Sequence, residues 1–190
     1  MFLLFTVFLT LSCGNDDMQG EGSGDDPLSV EKGRQMQVAE LYGNQIEPSQ
    51  SRHIELMDIL MTEIENFTEN PMDTSLSEVK NAWQNAFLQW DAMEIYNLGT
   101  IQNSFIHTRI HFWPVSVSVI ENAIKAEETI DNSFITGSGA NAKGYAAIEY
   151  LLYHTTGDSV VSEFSSDANS SRRSQYLLSL IHISEPTRPY

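Results

Sequence analysis

Apolar positions recur at three- and four-residue intervals through most of the chain. Ile54, Met57, Leu60, Met61, Ile64 and Phe67 form one such stripe, closed by Glu69, Asn70 and Pro71, and they predict an amphipathic helix with one buried face. Ser75 followed by Glu78 reads as a capping box opening a second helix, whose stripe of Val79, Ala82, Trp83, Ala86, Phe87, Trp90 and Met93 carries on until Gly99. The short link between the two stripes predicts that these helices pair. A third helical segment runs from about Thr100 to Phe112, is checked at Trp113-Pro114, and resumes through Val119, Ile120 and Ile124, with Pro114 as a kink or a restart. Thr136-Gly137-Ser138-Gly139 then breaks the chain before the most apolar helix, Ala142 to Tyr153, whose surface predicts burial between other helices. A last helix begins near Asp158 and continues through Val160, Phe164, Arg172, Arg173 and Tyr176. With no strand alternation and no solenoid-period repeat, the fold class is all-α, an antiparallel helical bundle with short connections.

The ends depart from this pattern. Phe2 to Leu11 is apolar but too short to span a membrane, and it fits the core of a secretion leader over residues 1–12. Leu9-Thr10-Leu11-Ser12-Cys13 resembles a bacterial lipobox, with Leu one place off the usual third position before the cysteine. Gly14-Asn15-Asp16-Asp17 resembles the acidic tether behind the lipid-bearing cysteine of Bacteroidetes surface lipoproteins. Cys13 is therefore the expected lipidation site, and residues 13–29, nearly devoid of apolar side chains, are the expected flexible tether. At the other end, Leu178 to Pro189 resembles the translation of a transposase adapter used in sequencing libraries. Residues 178–190 are thus expected to be adapter-derived, the native frame to continue past Leu177, and residues 30–177 to be a truncated helical domain.

Charge narrows the function. Ten Lys and Arg stand against 26 Asp and Glu, a formal net charge of −16. That balance excludes a binder that works by neutralising nucleic-acid phosphates, and leaves the lipid anchor as the only expected membrane contact. The 41% hydrophobic content supplies one sizeable core and argues against wholesale disorder.

Within that acidic envelope a few residues could carry chemistry. His107 and His111, four apart, share a face if their helix is continuous, and neutral imidazole is a common transition-metal ligand. Thr108 stands where a zinc peptidase carries its Glu, so no general base is built in. Trp83, Trp90 and Trp113 read as core aromatics with a pocket lining as the alternative. Arg109, one of few cations, is a candidate to pair with Glu94 or Glu149 or to hold an anionic ligand. Glu149, among Ala146, Ala147, Ile148, Tyr150, Leu151 and Leu152, must be paired, protonated or metal-bound if it is buried, unless that face of the helix is wet.

Ala82-Trp83 with Trp90, Glu94 and Gly99, then Arg109 to Pro114, Lys143 to Tyr153 and Phe164 to Tyr176 together resemble the imelysin-like proteins, once named insulin-cleaving membrane proteases. The resemblance implies an all-helical, two-lobed domain in the bacterial periplasm or on the outer membrane, associated with iron uptake. This chain would cover the first lobe and the start of the second. The family's signature, Gly-x-His-x-x-Glu, is a proposed metal site; Gly144 and Glu149 match it, while Ala146 stands at the His position.

Three functions follow as expectations. The leading one is a lipid-anchored binder of iron, haem or an iron chelate, with Glu94, Arg109 and Trp113 lining the site and His111 and Glu149 as metal ligands. The second is a non-catalytic interaction module for an outer-membrane receptor. The third is a metallopeptidase, which lacks an intact motif here.

Overall fold

The computed structural model describes residues 27–181. The leader, Cys13, most of the acidic tether and residues 182–190 lie outside that range. Helix α1 (Pro27–Leu41) opens with a proline, which suits the first turn, and so begins inside the segment assigned to the tether. Residues 27–38 belong to a first unit, and the side chains described there are all exposed.

The second unit starts at Ala39. A π-helical turn, Tyr42–Ile46, leads into α2 (Glu47–Glu69), which forms a hairpin with α3 (Asp73–Met93) around Pro71. The buried stripe of α2 is Leu56, Leu60, Ile64 and Phe67; Ile54, expected in it, is exposed. Ser75 is the third residue of α3 rather than its cap. Its hydroxyl accepts the Met72 N–H at 3.1 Å and donates to the Asn70 carbonyl at 2.8 Å, satisfying a terminal donor from inside the helix. At the other end of the hairpin, Gln89 donates to the Ser49 carbonyl at 3.2 Å.

The third predicted helix is broken. After a tight turn at Glu94–Tyr96, the chain forms only α4 (Thr100–Asn103) and α5 (Ile106–Ile110), separated at Phe105, whose φ is +53°. Ser104 and Thr108 hydroxyls donate to the Ile101 and Phe105 carbonyls at 2.6 and 2.7 Å, competing locally with helical pairing. A cis Trp113-Pro114 bond follows, and helix resumes in α6 (Val117–Lys125). Next comes α7 (Asn132–Gly137), capped by Asp131, whose carboxylate accepts the Phe134 N–H at 2.9 Å.

As expected, α8 (Gly144–Tyr153) is the most deeply buried helix. Tyr145, Ala146, Ala147, Ile148, Leu151 and Leu152 are all in the interior, packed against α3 and, further on, α9 (Gly157–Ser165) and α10 (Ser170–Ile181). The single last helix predicted from sequence is therefore two. Their division falls at Ser166 and Asp167, whose N–H groups both return to the Ser162 carbonyl. The interior continues into α10 at Tyr176, Leu177, Leu180 and Ile181, so the first residues of the adapter-like string lie within a packed helix. Among the described residues there is no strand, and no helix long and apolar enough to cross a membrane.

An arginine and a lysine hold helix ends in this bundle. Arg172 donates from Nε to the Ile124 carbonyl at 2.8 Å and from Nη2 to the Ala123 and Glu128 carbonyls at 2.9 and 2.8 Å, closing the C-terminus of α6. Lys143, buried, donates to the Thr136 and Ile135 carbonyls at the end of α7, at 3.1 and 3.4 Å.

Candidate functional site

The site begins where α5 meets α8. Gly144, the first residue of α8, has φ +72°, and a Cβ there would overlap the Ile110 carbonyl. Only glycine lets the two backbones come this close. The contact sets the start of α8 against Arg109-Ile110 and brings His111, just past α5, over the aromatic end of α3.

There the rings converge. The His111 imidazole stands edge-on to Phe87 at 5.0 Å and to Trp90 at 5.4 Å between centroids. Tyr145 meets Phe87 and Trp90 at 5.5 and 5.9 Å, and the Trp83 indole N–H donates to the Tyr145 carbonyl at 3.1 Å. From α2, His53 approaches Tyr145 at 6.3 Å, and Met57, one turn on, accepts the Tyr145 hydroxyl on its sulfur at 3.0 Å. Burial lowers the His53 pKa from its ordinary value, against a smaller opposing effect of the Ala86 backbone, so the ring is neutral near pH 7; its Nδ1 is buried with no hydrogen-bond partner among the described residues. Burial also drives the Tyr145 phenol well above its usual range. The result is an aromatic corner holding two imidazoles, a thioether and a phenol.

The sequence-predicted residues distribute unevenly around it. His111 is in the corner, half-buried. Glu149 is one turn beyond Tyr145 and one turn before Tyr153, on the same face of α8, and is half-buried. It lies on the wetter side of that helix, not in the apolar interior. Trp83 is buried and Trp90 half-buried, but Trp113, expected as core, is 66% exposed beside the cis proline. Arg109 is exposed and makes no ion pair among the described residues, so the expected buried pair with Glu94 or Glu149 is not formed. Its charge instead adds to burial in lowering the pKa of Lys143. Glu94 sits half-buried in the turn after α3. His107 and His111 do not share a helix face, because α5 ends at Ile110 and His111 is extended, with φ −141° and ψ 106°.

Sequence reasoning missed His53, Met57 and Tyr145 as members of this corner. His53 and Met57 are four apart on the buried side of α2, and a histidine at that interval was the available signal. Among the described residues no group of three or more His, Cys, Asp or Glu side chains could hold a metal ion. His111 and Glu149 thus offer at most two of the donors that a protein cage for a bare ion requires.

The stretch of chain around His111 is rich in exposed apolar side chains. Ile95, Leu98, Ile101, Phe105, Ile106, Phe112, Trp113, Val117 and Val119 are exposed, and from Ile95 to Ile120 the chain has Arg109 but no Asp or Glu.

A helical bundle with an aromatic, imidazole-bearing corner and no strand among its described residues defines the class of protein. Residues 53–184 match the imelysin family model, well over half of the chain, and the protein belongs to that family. Comparison with curated proteins and with solved structures gives no match.

Proposed function

We propose that this protein is a lipid-anchored component of the bacterial cell envelope that binds iron in bacterial iron uptake, as haem or an iron chelate. The observation that carries the reading is His111, half-buried and edge-on to Phe87 and Trp90 at 5.0 and 5.4 Å. Imidazole beside flat aromatic faces suits a planar conjugated ligand as well as a metal. Two candidate donors, His111 and Glu149, suit an iron that arrives with most of its coordination sphere already filled. Arg109, exposed and free of ion pairs among the described residues, is available to the carboxylates that haem and many chelators carry. Trp113 and Glu94 complete the proposed lining, and Cys13 is the proposed anchor.

Titration of the protein with haemin and, separately, with ferric citrate tests this. Saturable binding of one of them is expected, weakened about tenfold or more by His111→Ala. If neither titrant binds saturably, the reading fails. The exposed, acid-free apolar run from Ile95 to Val119 favours a second reading, a helical module docking on an outer-membrane partner. That reading predicts co-purification of such a partner, lost when Phe105 and Trp113 are both changed to Ser. Peptidase action finds no comparable support in the donor set of the described residues.

A further inference from the structure

Between the turn after α3 and the start of α6 the chain forms only helices of four and five residues, and its large apolar side chains face solvent. Ile95 is 73% exposed, Leu98 69% and Phe105 65%, with Phe112 and Trp113 following. Phe105 is the costliest of them. Its φ of +53° lies where a side chain of that bulk is rarely held, and its ring stands in water. The ring approaches His107 at 6.5 Å between centroids but joins no part of the core. Neither backbone nor packing calls for a phenylalanine at this position, so the ring points to a contact outside the chain.

Charge decides what that contact is. All 26 Asp and Glu of the chain lie outside the stretch from Ile95 to Ile120, where Arg109 is the one formal charge. Protein interfaces carry a polar rim, so a protein partner gives no reason to exclude carboxylates from the whole stretch. A bacterial lipid surface does. Its anionic headgroups repel a chain of net charge −16 except at a face without acids. Aromatic and branched aliphatic side chains with an arginine among them are also the composition that rests at the boundary between headgroups and acyl chains.

We propose that the stretch from Ile95 to Trp113 is a peripheral membrane contact, on which the domain rests against an anionic phospholipid surface. Leu98 and Phe105 enter the acyl boundary, while the Trp113 indole and the Arg109 guanidinium stay at headgroup level. No helix among the described residues is long and apolar enough to cross a membrane, so the contact is shallow. This goes beyond the iron-binding reading and requires neither a bound ligand nor lipidation of Cys13. It replaces the expectation that a lipid anchor is the sole membrane contact. Its consequence is orientation: with Trp113 among the headgroups, His111, two positions earlier, stands at the lipid-facing end of the aromatic corner.

Tryptophan fluorescence of the full chain tests this on vesicles rich in phosphatidylethanolamine, with phosphatidylglycerol as the anionic lipid and bromine on the acyl chains. Bromine quenches only indoles that reach the bilayer. The apolar run Phe2 to Leu11 can itself hold the chain on a vesicle, so sedimentation alone is not the readout. Quenching and a blue shift that disappear in Trp113→Phe are expected. Both should be largely lost in Leu98→Ser/Phe105→Ser, whose exposed positions leave the helical circular dichroism unchanged. The isosteric pair Gln102→Glu and Asn103→Asp, exposed on α4, should weaken the quenching on these vesicles but not on purely zwitterionic ones. Trp113 emission untouched by vesicles overturns the proposal, as does equal quenching in the Leu98→Ser/Phe105→Ser variant. Indifference to the two added carboxylates removes the charge argument, and a Trp113 shift that follows protein concentration without lipid assigns the face to a second copy; either result also overturns it.

Discussion

Gly144 couples conformation and contact at a single residue. Its φ of +72° already disfavours any side chain, and the Ile110 carbonyl occupies the space a Cβ would need. Gly144→Ala must therefore either rotate the first peptide of α8 or push α5 away. A loss of about 3 kcal/mol or more is expected, on the scale of strained backbone plus overpacking. Urea denaturation measures it, and a loss below about 1 kcal/mol would show that α5 yields freely. Ala146, two residues on, is buried. An imidazole there would have to find room in the interior, so the missing signature histidine is a change of packing as well as of chemistry.

Among the elements, α6 shows how little local sequence decides a helix end. Its last carbonyls, Ala123 and Ile124, are met by Arg172, which lies 48 and 49 positions along the chain from them. Arg172→Ala should leave these groups and Glu128 O without their charged donor, costing about 1–2 kcal/mol, with Arg172→Lys restoring only part because an ammonium cannot reproduce the guanidinium fork. Equal chemical stability of Arg172→Ala and wild type in a denaturant titration would contradict this. The same contrast explains what the sequence revealed. The two long helices and α8 were legible because their apolar intervals repeat over several turns. The breaks at Phe105 and Ser166 were not, since no Gly or Pro marks them and the side-chain bonds that compete with the helix are short polar contacts. Of the aromatic corner, His111 was recognisable by residue type, while the four-residue interval to His107 that drew attention to it corresponds to no shared helix face. Trp113 was misjudged because three-residue steps beyond Gly99 no longer describe a helix. His53 and Tyr145 meet across separate helices, a long-range pairing that no local pattern encodes.

At the scale of the whole molecule, phenols withdrawn from water, Tyr176 fully and Tyr150 in part, set the alkaline limit of stability. Tyr176, whose hydroxyl donates to the Ala142 carbonyl at 2.7 Å, and Tyr150, facing Glu121, are each pushed up to about 12, burial being the first cause in both. In the unfolded chain they ionise near 10. Between these values the folded state holds more protons, so stability is intact below about pH 10 and falls as pH rises towards 12. Tyrosinate absorbance and loss of helical circular dichroism are expected to change together in that window; full ionisation with the helices intact would refute the assignment. The contact at Gly144 also separates two kinds of information in the family's signature. The glycine is read by a backbone carbonyl that any residue at position 110 would supply, whereas the histidine position of the signature, filled here by buried Ala146, answers to the space of the interior. Substitutions at Ile110 therefore leave the demand for glycine at 144 in place, while substitutions at 146 succeed or fail by the volume they bring into the interior.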